Sequence, residues 1–409
     1  MPEKFPASEV SVAEVWKLLE ERVAPLDPER VPLADARGRL LLADVKADLD
    51  QPPFDRSAVD GYAFIPNSST AKLRVIGVVK AGEVASRAPG PGEALRIFTG
   101  APVPAPGLAV LMQEDAVVEG DCITVKRSLT PGENVRVRGS DARAGDVLLP
   151  SGVRLNPVAL ALLASVGEVR PVVNGVPHLA HATTGDEIVP PEATPGPGQI
   201  RNSNQVLMAA LLQNLNARNS PLHQEHWGDD AAHAASRLAA EPFASADLIL
   251  ISGGASVGEH DYAARILENA GFELPVRKVN LRPGRPLLVG FRGKQVAFGL
   301  PGNPVSHFVC FHLFVRLALC RLQRNTPAKW LKLRLEKPLI NIANRRPTYW
   351  PGVMTRGDGL RIQPLPWNNS GHLAALAEAN VLFLVPPETQ ELPAGSKVDT
   401  LIVGAPLRS

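Results

Sequence analysis

From about residue 176 onward, segments with the pattern of buried strands alternate with segments of helical apolar spacing. The strand candidates are VPHLAHAT, ADLILIS and QVAFGLP, and the helix candidates between them are SNQVLMAALLQNLNA, DDAAHAASRLAA and DYAARILENAG. Strands that alternate with helices form a parallel sheet with helices on its faces. Residues 176–326 are therefore predicted to form an α/β domain, which ends in an apolar helix over 305–322.

The rest of the chain is rich in turn residues. Its 39 prolines and 34 glycines in 409 residues indicate many short strands and turns rather than a helical bundle. An amphipathic helix behind a serine cap is predicted over residues 8–24, and Asn156-Pro157 begins a second one. Because both flank a β-rich segment, we expect residues 152–173 to pack back on the first helix.

These patterns predict a mixed α/β multidomain protein. Its domains are a discontinuous N-terminal helical and linker domain (residues 1–45 and 146–175), a small β-rich domain (46–145), the α/β domain (176–326) and a C-terminal β-barrel-like domain (327–409).

Charge and composition exclude several classes of protein. The formal net charge is +2 and no block of lysine and arginine is present, so nucleic acid is not expected as a ligand. Three scattered cysteines indicate a reducing compartment. The segment 305–322 is short and contains His307, His312 and Arg316, so we expect a buried helix rather than a membrane span. A cytoplasmic protein is predicted.

Three loops leave strand ends in the α/β domain, namely TTGDEIVP, SGGASVGEHDY and LPGNPVSHF. Ligands bind beyond the carboxyl ends of parallel strands. The backbone amides of Ser252, Gly253, Gly254 and Ser256 could hold an anion, although a plain glycine-rich connection stays possible. The loop is neither a Walker loop nor a dinucleotide fingerprint, because the lysine of the first and the glycine spacing of the second are missing.

Acidic residues follow the same strands. The candidates are Glu187, Asp229, Asp230, Glu259 and Asp261. Each alone could be a solvated helix cap. Their concurrence at strand ends favours a divalent ion, since Mg²⁺ takes one or two carboxylates together with phosphate oxygens.

A basic turn follows in KVNLRPGRP. Lys278, Arg282 and Arg285 surround a Pro-Gly turn there. Cations held on a rigid turn suit an oxyanion such as phosphate or molybdate. An ordinary basic hairpin is the alternative.

In the first β domain, two polar residues directly precede glycine within apolar sequence. They are Asp60 in PPFDRSAVDGYAF and Thr99 in RIFTGAPVP. A buried aspartate needs partners, although an Asp-Gly turn is the commoner reading. In RVRGSDARAGD, Asp141 lies between Arg138 and Arg143.

Taken in order, these motifs resemble one family along nearly the whole chain. They are PPFDRSAVDGYA, RIFTGAPVP, RGSDARAGDVLLPSG, TTGDEIV with GQIRNSN, LISGGASVGEHDY, RPGRP, GLPGNPVS and SGHLAALAEAN. The chain resembles the molybdopterin molybdenumtransferases, which include MoeA and the E domain of gephyrin and its plant relatives. The resemblance implies an elongated, L-shaped subunit of four domains, in which residues 176–326 have the MogA-like fold.

The same resemblance implies an activity. The family takes adenylylated molybdopterin and molybdate, cleaves the phosphoanhydride with Mg²⁺, and releases AMP and molybdenum cofactor. It also implies a homodimer, with an active site between the α/β domain of one subunit and the first β domain of the other. Neither nucleic acid nor a membrane is implied as a partner.

The resemblance also assigns roles to individual residues. The functional residues are Asp60, Thr99, Asp141, Glu187, Asp229 (with Asp230 as the competing choice) and Asp261. The metal ligands among them are Glu187, Asp229 and Asp261. The substrate-binding residues are Ser252, Gly253, Gly254, Ser256, Lys278, Arg282, Arg285, Pro301, Pro304 and Ser370.

The chain departs from the family pattern at several positions. Arg56 and Val59 replace an asparagine and a methionine before the first acid, and RPGRP replaces K-P-G-K-P. In RPTYWPG, Pro351 replaces the usual arginine. These changes raise the alternatives of a paralogue with an altered anion preference, such as tungstate, or of a slow enzyme. A scaffold like the gephyrin E domain is a separate alternative, and the retained Asp60, Glu187, Asp229 and Asp261 favour the enzyme over it.

Overall fold

The computed structural model describes residues 9–66, 71–214, 220–253, 260–340, 342–357, 359–367 and 369–404. The chain divides into two compact units. One consists of Met1–Pro28 together with Asn174–Ser409, and the other of Glu29–Val173.

Helix α1 (Val12–Arg22) confirms the predicted N-terminal helix. Ser11 and Glu14 form a capping box, in which each side chain bonds the backbone N–H of the other. The buried face of α1 packs into the same core as the helical segment 304–322. Residues 152–173, which were expected to pack on this helix, belong to the other unit, where their helix lies in that unit's own core.

The unit Glu29–Val173 is built from short strands and one helix. Its strands are β1 (Glu29–Arg30), β2 (Val45–Lys46), β3 (Arg56–Ser57), β4 (Gly61–Phe64), β5 (Ala71–Val79), β6 (Glu93–Ile97), β7 (Ala109–Met112), β8 (Ala116–Glu119), β9 (Cys122–Val125), β10 (Val135–Arg136), β11 (Val147–Leu149) and β12 (Val172–Val173). Helix α2 (Pro157–Ser165) is capped by Asn156. Six strands form one sheet in the order β7-β4-β6-β5-β9-β8, and the pairs β1–β12, β2–β11 and β3–β10 are antiparallel.

Gly61 is the position at which this sheet tolerates no side chain. It opens the buried strand β4, and a Cβ there would lie 1.8 Å from the carbonyl oxygen of Leu111 in β7. The Asp60-Gly61 pair is therefore the start of a strand and not the turn that its composition favours. The close approach of β4 to β7 explains the glycine directly after Asp60.

Replacing Gly61 by alanine should destabilise this unit by about 3 kcal/mol or more, because β4 and β7 must move apart. Gly77→Ala is the matched control, since its Cβ would meet only Leu95 Cδ2 at an ordinary 3.4 Å. Urea unfolding of both variants measures the difference. Equal denaturation midpoints for the two variants would contradict the steric argument.

The larger unit contains the predicted α/β sheet. Its strands are β13 (Leu179–Thr183), β14 (Ile188–Val189), β15 (Ile200–Arg201), β16 (Leu222–His226), β17 (Leu248–Ser252), β18 (Glu273–Val276), β19 (Leu288–Arg292) and β20 (Gln295–Leu300). The helices between these strands are α3 (Ser203–Asn214), α4 (Ala231–Leu238) and α5 (His260–Asn269). The sheet order is β16-β13-β17-β20-β19-β18; the first four strands are parallel, and β19 and β18 add antiparallel pairs at one edge. The parallel sheet is confirmed, and the antiparallel edge is a feature that the sequence patterns had not indicated.

Helices cover both faces of this sheet. Leu179, Leu248 and Leu250 face a core that includes α1, α3 and the helical segment 304–322. The alternate residues Ala180 and Ile249 face a second core that includes α4 and α5. Every residue of β13 and β17 is buried, and successive residues face the two cores in turn.

The apolar helix runs as α6 (Pro304–Cys310), a π-helical turn (Phe311–Val315) and α7 (Arg316–Leu322). It is the one helix among the described residues that is long and apolar enough to cross a membrane, with a mean hydropathy of 1.5. However, 78% of its apolar window is buried inside the protein. The predicted buried core helix is confirmed.

The last segment closes into a barrel. Strands β21 (Trp330–Leu335), β22 (Leu339–Ile340), β23 (Thr348–Gly357), β24 (Gly359–Pro364), β25 (Val381–Val385), β26 (Glu391–Leu392) and β27 (Lys397–Ile402) follow. The closed order is β21-β24-β23-β25-β27, with β22 and β26 as a separate pair. The predicted β-barrel-like segment is therefore observed; the exact domain boundaries stay a prediction.

Candidate active site

The strand order creates a topological switch point next to β13. The chain passes from β13 to β16 on one side and then crosses to β17 on the other. Ligands of open parallel sheets bind beyond the carboxyl ends of the strands at such a point. The loops that begin at Thr184 and Gly253 are therefore where a ligand is expected.

These two loops touch one another. The N–H of Thr184 donates to the carbonyl of Ser252 at 2.9 Å. Gly253 has a φ of +115°, and a Cβ there would lie 2.6 Å from the carbonyl oxygen of Thr184. Only glycine fits this position. Of the predicted anion cradle, Ser252 and Gly253 lie at this contact, whereas Gly254 and Ser256 lie outside the described residues.

Two carboxylates meet at the ends of β13 and β16. The N–H of Asp229 donates to Oδ1 of Asp186 at 3.0 Å, and the N–H of Asp186 faces Oδ2 of Asp229 at 3.3 Å. Their negative charge affects the neighbouring Tyr262. Its pKa is raised to about 12, chiefly by burial and then by the charges of Asp229, Asp230 and Asp186. The edge of the sheet is thus a concentrated negative region suited to a cation.

The two neighbouring aspartates in the sequence have different roles. Asp230 is the N-cap of α4, and its side chain accepts from the N–H groups of Ala232 and His233 at 2.9 and 3.1 Å. These backbone bonds lower its pKa. Asp229 is turned toward Asp186 instead. The geometry therefore favours Asp229, the first choice of the sequence prediction, as the functional acid.

The other predicted metal ligands are less defined. The carboxylate of Glu187 lies beside Gly185, where a Cβ would be 2.6 Å from its Oε2. Asp261 is in the first turn of α5, but its side chain lies outside the described residues. Within the described ranges, no group of three or more His, Cys, Asp or Glu side chains is placed to hold a metal. Asp186 was missed by the prediction, although it directly precedes Glu187 in TTGDE.

A buried imidazole fixes the hydroxyl of Ser252. The amide nitrogen of Gln224 donates to the carbonyl of Gln205 at 3.0 Å and to Nδ1 of His181 at 2.8 Å. Nε2 of His181 must then carry the proton and donates to Oγ of Ser252 at 2.7 Å. Burial, and to a lesser extent the charge of His307, lowers the pKa of His181 to about 3.

Because the hydroxyl oxygen of Ser252 accepts a hydrogen bond from His181, the hydroxyl hydrogen of Ser252 points away from His181 and is available to another acceptor. It is therefore a hydrogen-bond donor at the start of the glycine-rich loop, the polarity that an anion requires. Neither His181 nor Gln224 was predicted. The one signal was a histidine inside the otherwise apolar run LAHAT.

In the smaller unit, the structure brings Asp60 and Thr99 together. Both the N–H and the hydroxyl of Thr99 donate to Oδ1 of Asp60 at 2.8 Å. These two bonds, the backbone one first, hold the pKa of Asp60 below its usual range, and Arg96 adds to the effect. Asp60 is thus an ionised, oriented carboxylate, as its predicted role requires.

Asp141 has a different partner from those that flank it in the sequence. Arg136 binds both carboxylate oxygens, at 2.9 and 2.7 Å. Arg138 is paired with Asp50 at 2.7 Å instead. The functional role of Asp141 stays a prediction.

The predicted oxyanion turn opens into a cavity of about 330 Å³. Its lining includes Arg282, Arg285, Arg346, Pro301, Ser306, Trp367 and Ser370. Pro304 is at the first position of α6, beside this cavity's wall at Asn303. Lys278, predicted for the same turn, is exposed and does not line the cavity. Arg346, Ser306 and Trp367 were missed by the prediction, although Arg346 lies in the segment that contains Pro351.

Comparisons with known proteins agree along the whole chain. Residues 10–167 match the "MoeA N-terminal region (domain I and II)", residues 180–321 a "Probable molybdopterin binding domain", and residues 332–403 the "MoeA C-terminal region (domain IV)". The chain is 33% identical to a molybdopterin molybdenumtransferase of Nostoc sp. over 408 residues, covering 96% of this chain and 92% of the relative. It is 29% identical to that of Staphylococcus epidermidis, covering 96% and 95%.

A solved structure gives the same result for the fold. The molybdopterin biosynthesis MoeA protein from Pyrococcus horikoshii superimposes with a TM-score of 0.80 at 29% identity, over 97% of this chain and 100% of that one. Fold, domain order and site thus define a protein with a molybdopterin-binding type of domain between MoeA-type terminal regions. The chain belongs to the molybdopterin molybdenumtransferase family.

Proposed function

We propose that this chain is a molybdenum insertase, which transfers molybdenum from molybdate to adenylylated molybdopterin and releases AMP in the biosynthesis of molybdenum cofactor. The observation that carries the proposal is the cavity at the RPGRP turn, in which Arg282 and Arg346 face a common space together with Ser306 and Ser370. Guanidinium groups and hydroxyls are donors that match a tetrahedral oxyanion. The relatives, which are molybdopterin molybdenumtransferases, supply the reaction class.

The residues at the switch point suit the second substrate. Cleaving a phosphoanhydride adds water across a P–O bond, so that one phosphorus gains the oxygen and the bridging oxygen leaves with the other phosphate. The hydroxyl of Ser252, whose oxygen accepts from His181, is free to donate to a phosphate oxygen. Oriented donors and charges of this kind lower the barrier by stabilising the charge that develops at phosphorus.

The acids fit Mg²⁺, which is proposed as the cofactor. Asp186 and Asp229 supply the one or two hard carboxylates that Mg²⁺ takes beside phosphate oxygens. Glu187 and Asp261 are the further acids that the family resemblance assigns. When bound, the ion would offset the negative charge of the phosphoanhydride.

The remaining parts of the proposal rest chiefly on the family resemblance. They are a homodimer, an active site to which a second subunit contributes Asp60, Thr99 and Asp141, and a cytoplasmic location. The hydrogen bonds from Thr99 to Asp60 support a role for Asp60 as an ionised group.

The test is an assay of AMP formation by the purified full-length chain with adenylylated molybdopterin, MgCl₂ and molybdate. AMP release that requires molybdate and is abolished by EDTA is expected. Release without molybdate dependence, or none at all, contradicts the insertase. EDTA-insensitive turnover contradicts the Mg²⁺ assignment only.

A second candidate differs in the oxyanion. Arginines replace the family's lysines in RPGRP, and Pro351 replaces an arginine. Because guanidinium differs in geometry from an ammonium group, we propose as the second candidate an altered oxyanion preference, with tungstate as the anion to test. The same assay with tungstate decides, and equal or better turnover with molybdate contradicts this candidate.

A further inference from the structure

The last residues of three neighbouring parallel strands form a polar row at the carboxyl ends of the sheet. Thr183 of β13 is in register with His226 of β16 on one side and with Ser252 of β17 on the other. Residues in register project from the same face of the sheet, which here is the face covered by α3, since Leu179 and Leu250 alternate onto it. Thr183 and Ser252 are buried, whereas His226 is exposed. The row therefore ends in an imidazole that a ligand at this edge can reach.

The direction of the hydrogen bonds around Thr183 is fixed by the backbone. The N–H of Gln205 donates to Oδ1 of Asn202 at 3.1 Å, which makes Nδ2 the donor end of this buried amide. Nδ2 of Asn202 donates to Oγ1 of Thr183 at 2.9 Å. The hydroxyl of Thr183 thus directs its own proton to its nearer acceptor, Nδ1 of His226 at 3.0 Å, rather than to the carbonyl of Glu225 at 3.5 Å.

His226 is thereby held as the neutral tautomer that carries its proton on Nε2. Within the described part of the chain, no acceptor takes this proton. The exposed side of the ring is therefore a hydrogen-bond donor without a protein partner, and it lies at the strand ends where a ligand is expected.

Both ends of the row are prepared as donors, and both depend on Gln205 in the first turn of α3. The carbonyl of Gln205 accepts from Gln224, which begins the hydrogen-bonded chain that ends at Ser252. The N–H of Gln205 donates to Asn202, which begins the chain that ends at His226. One helix turn thus fixes the polarity of two separate donors on the same face of the sheet.

The spacing of the two donors indicates what they bind. His226 and Ser252 lie two strands apart, so that their donor atoms are roughly 10 Å apart at about 4.8 Å per strand. A hydrogen bond of about 2.8 Å at each end leaves roughly 4 Å between the two acceptor atoms. Two oxygens of one phosphate group are closer together than this, whereas oxygens on the two phosphates of a phosphoanhydride can be this far apart.

We propose that His226 is a substrate-binding residue, which donates from Nε2 to one phosphate of the phosphoanhydride while Ser252 donates to the other. Asn202 and Thr183 are positioning residues, because they act only through His226. A neutral donor adds no charge that would compete with Mg²⁺ for the carboxylates at the same strand ends. The inference rests on the proposed function, which supplies the phosphoanhydride.

The test is the binding of ADP, a simple phosphoanhydride of adenosine, to the full-length chain in MgCl₂ by isothermal titration calorimetry. His226→Phe should weaken binding about tenfold or more, because it removes a hydrogen bond to a charged group. His226→Gln, which keeps an N–H donor, should recover part of that loss. His223→Phe is the matched control, because it places the same change on the same strand but on the opposite face, where the ring packs against Phe243. It should change the affinity by less than about threefold.

A second measurement follows the tautomer of His226. In a chain labelled with ¹⁵N-histidine, long-range ¹H–¹⁵N spectra at pH 8 should show the proton on Nε2, and the spectrum of His226→Phe identifies the signals among those of the nine histidines. Thr183→Val should abolish this preference and weaken ADP binding, and Thr183→Ser should restore both. A merely structural role of Thr183 would leave the tautomer unchanged.

Three outcomes overturn the inference. They are an affinity for ADP in His226→Phe that equals that of the wild type, a wild-type chain that does not bind ADP, and a wild-type His226 that carries its proton on Nδ1. Thermal unfolding of each variant separates lost binding from lost folding. If ADP binds in the expected pattern but no AMP is released from adenylylated molybdopterin, the insertase proposal fails while the assignment of His226 stands.

Discussion

Replacing Asp229 by asparagine should reduce AMP release by about two orders of magnitude or more, with little change in stability. Asparagine keeps the shape of the side chain and an oxygen that can accept from the N–H of Asp186, so the contact between the two loops survives. It removes the charge that the proposed Mg²⁺ site depends on. The measurement is molybdate-dependent AMP formation at saturating Mg²⁺.

Asp230→Asn is the matched control for this prediction. Asn and Asp are equally good N-caps, so α4 should stay intact, and Asp230 is engaged with Ala232 and His233 rather than with Asp186. We expect near wild-type turnover in this variant. If Asp230→Asn is inactive and Asp229→Asn is active, the two aspartates have been assigned the wrong way round.

Acidification should destabilise the protein steeply between pH 6.5 and about 4. Three buried histidines are the cause. Burial lowers the pKa of His181 and His312 to about 3 and that of His307 to about 4. Below pH 6.5 the unfolded chain binds protons that the native chain does not, so stability is present above that pH and is lost as the pH falls. Each such histidine contributes a slope of about 1.4 kcal/mol per pH unit, and three of them cost on the order of 6 kcal/mol at pH 5.

Urea unfolding at pH 7, 6 and 5 measures this slope, in a range where most carboxylates stay ionised. His312→Phe is the informative variant, because the ring packs against Phe308 and Phe311, and neither of its nitrogens has a hydrogen-bond partner among the described residues. The variant should lose about one third of the pH dependence. An unchanged slope would mean that His312 is protonated in the native state.

Apolar periodicity was sufficient to predict most of the α/β layer from the sequence. ADLILIS and QVAFGLP are β17 and β20, and apolar spacing behind a serine cap marked α1. Strand β16 was missed because its sequence, LHQEH, is polar. It lies at the edge of the sheet, where a strand buries less apolar surface than a central strand does. Its side chains instead bond laterally, as Glu225 does to Arg237 at 2.9 Å.

Site residues that belong to a recognisable sequence motif could be predicted. Site residues whose partners are distant in the sequence could not, because only the fold brings them together. Asp60 with Thr99 was found from two Gly-preceding polar residues, and the structure joins them. Asp186 and Arg346 were missed, because their roles depend on which loops the fold brings together. No local sequence pattern predicts the ion pair between Glu9 and Arg285, which are 276 positions apart in the chain.

The position of α1 has a consequence for how the protein is made. The chain enters the unit Glu29–Val173 at β1 and leaves it at β12, the strand beside it, so that this unit is an insertion between α1 and its packing partners. Helix α1 ends at residue 22 and α6 begins at residue 304. At ribosomal speeds of about 5–20 residues per second, α1 waits on the order of 15 to 60 seconds for the surface that buries it. During synthesis its apolar face is therefore open to chaperones, while the inserted unit, whose two ends are already adjacent, can complete its own fold first.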